Sequence, residues 1–290
     1  MHKDSWHGAP AARRRKLGQH FLTSPGAILR VIEGIGPVRD EAILEIGPGR
    51  GALTFPLLAA GSRVLALELD ASLARRLRQQ GAAHSGLQVA DGDVLKADFD
   101  TLLAGWLPAG TGVRVVGNLP YSVASPAILR LLARPDLFRD WTLMVQREVA
   151  DRILASPGSR LFGVMTLLCA SRAVPRRLMD LPPGSFSPPP RVHSTLLHFA
   201  PRSGMFCSTE HAESFERVVK AAFSARRKML RNTLAGGLRW TVERAQAALA
   251  EAGIPSEERP EKIPLDAYLD LSRRLAGAAE KGASGKPGHL

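Results

Sequence analysis

Ala42-Ile43-Leu44-Glu45-Ile46-Gly47-Pro48-Gly49-Arg50-Gly51 runs from an apolar stretch straight into a glycine loop. The first five residues read as a short strand buried on both faces. Glycines at 47, 49 and 51 allow a tight turn and let the backbone approach a ligand closely. Glu68 stands twenty-one residues beyond Gly47, near the end of a second apolar run, Arg63 to Leu69. An acid at that distance can accept hydrogen bonds from ribose hydroxyls. The loop reads G-x-G-x-G rather than the G-x-G-x-x-G that cradles a pyrophosphate, which disfavours a nicotinamide dinucleotide. Gly47, Gly49 and Glu68 are therefore expected to hold a nucleoside cofactor.

Strand and helix signals alternate around this unit. Ser24-Pro25 offers an N-cap followed by Pro at the first helical position, and Ile28, Val31, Ile32 and Ile35 follow at helical spacing. Asp70 caps a further helix that Gly81 closes. Leu87 to Ala90, Val113 to Val116 and Trp141 to Val145 read as strands, and Ser125-Pro126 opens a helix through Leu132. Such alternation predicts βαβ units around a parallel sheet. Pro56, inside the helix after the glycine loop, predicts a kink or a late start. Residues 182–190 are too rich in proline to be regular, and Val192 to Phe199 forms one more strand. Beyond about residue 205 the strand signal stops, leaving helical stretches near 212–235, 240–252 and 264–279. The expected organisation is a basic arm (1–16), an α/β domain (17–204), a small all-helical domain (205–280) and a glycine-rich tail (281–290).

Among 290 residues, 39 Lys and Arg face 27 Asp and Glu, a formal charge of +12. A surplus of that size favours a polyanionic partner, because basic groups gain affinity by releasing counterions from phosphates. An anionic membrane surface would satisfy the same charge. Two cysteines, Cys169 and Cys207, exclude a disulfide framework and a thiolate zinc cluster, and fit a reducing cytoplasm. No metal is expected. No apolar run has the length of a membrane span, and the Arg13 to Lys16 cluster reads as an arm that touches a partner rather than a targeting presequence.

Two further constellations follow strand ends. Asp91-Gly92-Asp93 closes the third strand, and Asp93, with Asp91 as fallback, can accept from a cofactor's adenine amine. Asn118-Leu119-Pro120-Tyr121 follows the fourth strand. Strand ends on one edge of a parallel sheet converge on the ligand crevice, so this tetrapeptide should face the cofactor.

Together with Leu17-Gly18-Gln19-His20-Phe21-Leu22 and Phe186-Ser187-Pro188-Pro189-Pro190-Arg191-Val192, these motifs resemble the ribosomal RNA adenine dimethyltransferases, from about residue 13 to 275. Within that family the bacterial small-subunit type is the better match. The resemblance implies a Rossmann-like, S-adenosylmethionine-dependent methyltransferase domain followed by a small C-terminal helical domain. It implies dimethylation of N6 on two adjacent adenosines near the 3′ end of 16S ribosomal RNA, in an assembling 30S particle. It places cofactor contacts on His20, Leu22, Gly47, Glu68, Asp93 and Asn118, and sets Tyr121 and Phe186 on either side of the target base. His20 stands where relatives often carry Asn, and His193 where an acid is expected. The first puts its side-chain contact in doubt, the second any role for that side chain.

For an adenine amine the chemistry of the tetrapeptide can be argued. The nitrogen lone pair is delocalised into the ring. Two acceptors, the Asn118 side-chain oxygen and the Leu119 carbonyl, would bind its hydrogens and aim the lone pair at a methyl group. Pro120 would set the turn, and Tyr121 would stack on the base once it leaves its own stack. The methylated amine sheds its proton readily, so no strong general base is required and alignment does most of the work. On this reading the Tyr121 ring matters and its hydroxyl is dispensable.

Arg226, Arg227, Lys228 and Arg231 form a basic cluster read as a phosphate-contacting helix face, with Arg172, Arg176 and Arg177 as extensions. A monomer is expected. The competing readings are a large-subunit ribosomal RNA methyltransferase of the antibiotic-resistance type, an RNA-binding subunit-assembly factor and, more distantly, a dehydrogenase.

Overall fold

The computed structural model describes residues 19–107, 112–206, 208–225 and 227–283. The basic arm, Leu17, Gly18 and Arg226 lie outside these. The described residues fall into two compact units, one within 1–150 and 175–201, the other within 151–174 and 202–290. Residues 151–174 thus group with the C-terminal helices rather than with the sheet that surrounds them in sequence.

The first unit is built on a seven-stranded sheet. Its strands are β2 (Ala42–Ile46), β3 (Arg63–Glu68), β4 (Leu87–Asp91), β5 (Val113–Asn118), β6 (Phe138–Gln146), β7 (Ala173–Leu181) and β9 (Ser194–Pro201), in the order β4-β3-β2-β5-β6-β9-β7. Strands β4, β3, β2, β5 and β6 pair in parallel, and β9 pairs antiparallel with β6. A separate two-stranded ladder pairs β1 (Phe21–Leu22) with β8 (Phe186–Ser187). One strand therefore arises inside the proline-rich segment expected to be irregular. All five residues of β2 are buried, as the apolar run requires. Strand β7 has no counterpart in the sequence reading. It sits at the sheet's edge and carries Pro175, Arg176 and Arg177, residues an edge tolerates because one side needs no partner.

Helices α1 (Pro25–Ile35), α2 (Thr54–Ala59), α3 (Ala71–Gln80), α4 (Phe99–Ala104) and α5 (Ala124–Leu132) connect the strands. The Asp70 carboxylate caps α3, accepting from the Ser72 and Leu73 N–H groups. Helix α2 starts late, at Thr54, so Pro56 falls in its first turn, where a missing N–H costs no helical bond. At the sheet edge where the parallel strands begin, Arg114 donates to Asp140 at 2.9 Å and to Glu41 at 3.2 Å, joining three strand starts. That end serves stability and leaves the opposite end free for a site.

The second unit contains α7 (Val164–Ala170), α8 (Thr209–Ala222), α9 (Leu230–Leu238), α10 (Val242–Glu251) and α11 (Leu265–Ala283); α6 (Arg147–Ile153) precedes it. Helix α11 runs three residues into the expected tail, and residues 284–290 lie outside the described residues. The stretch expected as one helix near 212–235 is two helices. Val218, Val219 and Ala222 form the buried stripe of α8. Continued at helical spacing, that stripe would reach position 226, an arginine, and burying an unpaired charge is costly. Helix α8 instead ends at Ala222, Arg227 takes φ 68°, and α9 starts with Leu230 buried. No helix among the described residues is long and apolar enough to cross a membrane.

Candidate active site

The strand order reverses at β2, which has β3 on one side and β5 on the other, and ligands of open parallel sheets bind outside the strand ends at such a point. A cleft of about 130 Å³ lies there. Its walls come from the ends of four parallel strands: Ile46 and Gly47 at the end of β2, Leu67 to Leu69 at the end of β3, Gly92 to Leu95 after β4, and Asn118 to Val123 at the end of β5. Gln19, His20 and Phe21 close one side.

The glycine loop takes its shape from backbone angles that only glycine adopts cheaply. Gly47 and Gly49 have φ of 65° and 57°. This geometry turns the Gly49 N–H onto Glu68 Oε2, at 3.0 Å. The Asp70 N–H meets Glu68 Oε1 at 2.9 Å. Each carboxylate oxygen has two acceptor sites, so one on each remains for a ligand. Burial raises the Glu68 pKa above its ordinary value, and the backbone N–H groups of Asp70, Gly49 and Leu69 work against that rise.

Asp93 lines the cleft, with Oδ1 held by the Leu95 N–H at 2.9 Å. Asp91, the alternative, is ion-paired with Arg78 and does not line it. Asn118 Nδ2 donates to the His20 carbonyl at 2.9 Å. A carbonyl can only accept, so the amide is oriented with its nitrogen toward His20, and Oδ1 has no partner among the described residues. The Leu119 N–H is taken by the Met144 carbonyl at 3.1 Å, which anchors the tetrapeptide to β6. The His20 ring lies 5.2 Å from the Tyr121 ring, centroid to centroid, and its Nδ1–H donates to the Pro188 carbonyl at 2.8 Å.

Two expected site residues are placed elsewhere. Phe186 is 4% exposed and packs in the core with Leu22, Val31 and Leu181, so its ring does not face Tyr121 across the cleft. The β1–β8 ladder sets Phe186 opposite Leu22 and fixes both inward. Leu22 accordingly lines a smaller pocket behind the glycine loop, beside Glu45, and not the cleft. Phe186→Ala is therefore expected to act through stability, costing about 3–5 kcal/mol as large core truncations do. Thermal unfolding checks this; an unchanged Tm together with slow catalysis would return Phe186 to the site.

Glu45 was not anticipated as a special group. Wholly enclosed, it accepts from Thr54 Oγ1 at 2.5 Å, and burial pushes its carboxyl up to about 7, with the Glu68 charge adding to the rise and the Thr54 bond opposing it. Its position in the middle of a buried strand was the available signal. His193 is exposed outside the cleft, and its carbonyl accepts from the Arg147 N–H.

The basic cluster is not one helix face. Arg227 and Lys228 are exposed on the turn between α8 and α9, while Arg231 pairs with Glu257 at 3.1 Å on the first turn of α9. Arg172 turns to Glu216 at 3.7 Å, and Arg177 to Asp180 at 3.1 Å.

A family model described as ribosomal RNA adenine dimethylase matches residues 11–277. A "Ribosomal RNA small subunit methyltransferase A" from Bordetella avium is 39% identical, over 91% of this chain and 96% of its own length. One of the same name from Cupriavidus pinatubonensis is also 39% identical, over 96% and 98%. A dimethyladenosine transferase structure from Plasmodium falciparum shares the fold, with a TM-score of 0.73 at 22% identity over 91% of this chain and 98% of that one. The structure of the 23S rRNA methyltransferase ErmE gives 0.65 at 25% identity, over 88% and 99%. Matched over most of its length by the family model and by full-length relatives, the chain belongs to the ribosomal RNA adenine dimethylase family.

Proposed function

We propose that the protein transfers methyl groups from S-adenosylmethionine to N6 of two adjacent adenosines near the 3′ end of 16S ribosomal RNA. The carrying observation is one cleft that joins the Glu68 and Asp93 carboxylates to the Asn118 amide oxygen, in a chain of this family. The residues fit the cofactor by their chemistry. Glu68 has one acceptor site per oxygen for a ribose diol, Asp93 one free oxygen for an adenine amine, and the left-handed glycines leave the loop backbone bare. When bound, S-adenosylmethionine supplies an electrophilic methyl group.

The protein's part is alignment. In the first transfer Asn118 Oδ1 and the Leu119 carbonyl accept the two amine hydrogens and turn the lone pair toward the methyl carbon; in the second, one of them accepts the hydrogen that remains. Tyr121 offers its face to the base. Held this way, the amine attacks within a bound complex rather than by chance encounter, which lowers the barrier by fixing geometry. The proton released after transfer goes to solvent.

Relatives that carry the small-subunit name favour that substrate over large-subunit RNA. Supplying labelled methyl donor with undermethylated small subunits and, separately, large subunits tests the choice. Label confined to the small subunit supports the reading, and label on the large subunit overturns it.

Arg227 and Lys228 are proposed to neutralise RNA phosphates, since both are exposed and belong to a chain of charge +12. Replacing both with Gln is expected to weaken RNA binding. It should also flatten the fall of log affinity with log salt, by about 0.7–0.9 for each phosphate no longer neutralised. Arg231→Gln should change the slope less, because Glu257 already holds that group. An unchanged slope in the double variant would make the cluster an ordinary solvated turn.

A further inference from the structure

Tyr121 is carried by an irregular turn between β5 and α5, and no backbone regularity there directs its half-buried ring. Its hydroxyl lies 2.7 Å from Ser194 Oγ. Ser194 is wholly buried, is the first residue of β9, and stands opposite Gln146 in the β6–β9 ladder. Because β9 runs antiparallel to β6, its first residue falls at the sheet edge where the parallel strands end, which is the edge that bears the cleft. The ladder fixes the Ser194 backbone, and the side chain is a single short arm. A buried hydroxyl needs a partner, and the Tyr121 hydroxyl is the one that the Ser194 hydroxyl has among the described residues.

We infer that Ser194 is a positioning residue for methyl transfer, its hydroxyl anchoring the Tyr121 ring in the orientation that receives the target adenine. The inference rests on the reading of Tyr121 as the platform for that base. It also revises the expectation that the hydroxyl is dispensable. Without the anchor the ring turns about its two side-chain torsions, and each productive encounter must order it again. Burial raises the Tyr121 pKa and the Ser194 bond opposes that rise, so the pair meets the base as two neutral hydroxyls.

Tyr121 and Tyr268 are the chain's two tyrosines, so ring-carbon labelling of tyrosine gives one resonance from each. Tyr121→Phe assigns them. In Ser194→Ala the Tyr121 resonance is expected to shift while that of Tyr268 stays. Single-turnover methylation of undermethylated small subunits should slow by about 3- to 10-fold in Ser194→Ala and in Tyr121→Phe, the worth of one net hydrogen bond. The double variant should be no slower than either single one, because both remove the same bond. S-adenosylmethionine affinity should be unchanged in all three, which reports an intact fold. A full rate in Ser194→Ala, additive losses in the double variant, or an unmoved Tyr121 resonance would overturn the inference. Tyr121→Ala, run beside them, separates the two levels. If it too keeps the full rate, the platform reading itself fails; if it alone is slow, only the anchor fails.

Discussion

Asn118→Ala is expected to slow methyl transfer by about 10²-fold or more, the scale on which removing one preorganised hydrogen-bonding group acts in other enzymes. The expectation follows from how the amide is held. The His20 carbonyl claims its nitrogen, so the oxygen's direction is set before any substrate arrives. An acceptor already in place spends no free energy on reorganisation when the amine binds. Truncation to Ala removes that oxygen and releases the His20 carbonyl, while leaving the Glu68 and Asp93 carboxylates that would hold the cofactor's nucleoside. Cofactor affinity should therefore fall only modestly. Single-turnover methylation with saturating cofactor separates the two effects, and a near-normal rate would remove Asn118 from the transfer step.

Glu68→Ala is expected to weaken S-adenosylmethionine binding by about 10- to 150-fold, the equivalent of one hydrogen bond to a charged group. The side chain holds the Gly49 and Asp70 N–H groups as well, so its loss also loosens the glycine loop. Glu68→Gln is not conservative here, because an amide nitrogen would oppose one of those two N–H donors. The raised pKa adds a pH signature. The carboxyl protonates at a higher pH than an ordinary Glu, and affinity should decline as pH falls through that raised value. Calorimetry across pH checks both statements. Unchanged affinity in Glu68→Ala would mean that the carboxylate serves only the loop.

The parts of the site that were legible in the sequence are those with a local cause. The glycine loop announces itself because positive φ demands glycine, and Asp70 announces α3 because a carboxylate before a helix finds free N–H groups. What sequence hides is pairing over distance. Asp91 and Asp93 look alike as acids after a strand until Arg78 is seen to take the first. Phe186 reads as a base-stacking ring in a proline-rich loop until the ladder with β1 turns it into the core. The Tyr121–Ser194 bond joins residues far apart in the chain, and nothing near either one points to the other. The basic run at 226–231 carries helix-forming residues, and nothing local in it marks the break between α8 and α9, where Arg227 has φ 68°.

The measurement that tests the central claim most directly is the mass of the nucleosides released from small-subunit RNA. Undermethylated small subunits would be incubated with the protein and S-adenosylmethionine, and the fragments mapped along the RNA. The account predicts two adjacent adenosines near the 3′ end, each carrying two methyl groups on N6. Methylation of any other base or position, or none with active cofactor binding, would contradict it.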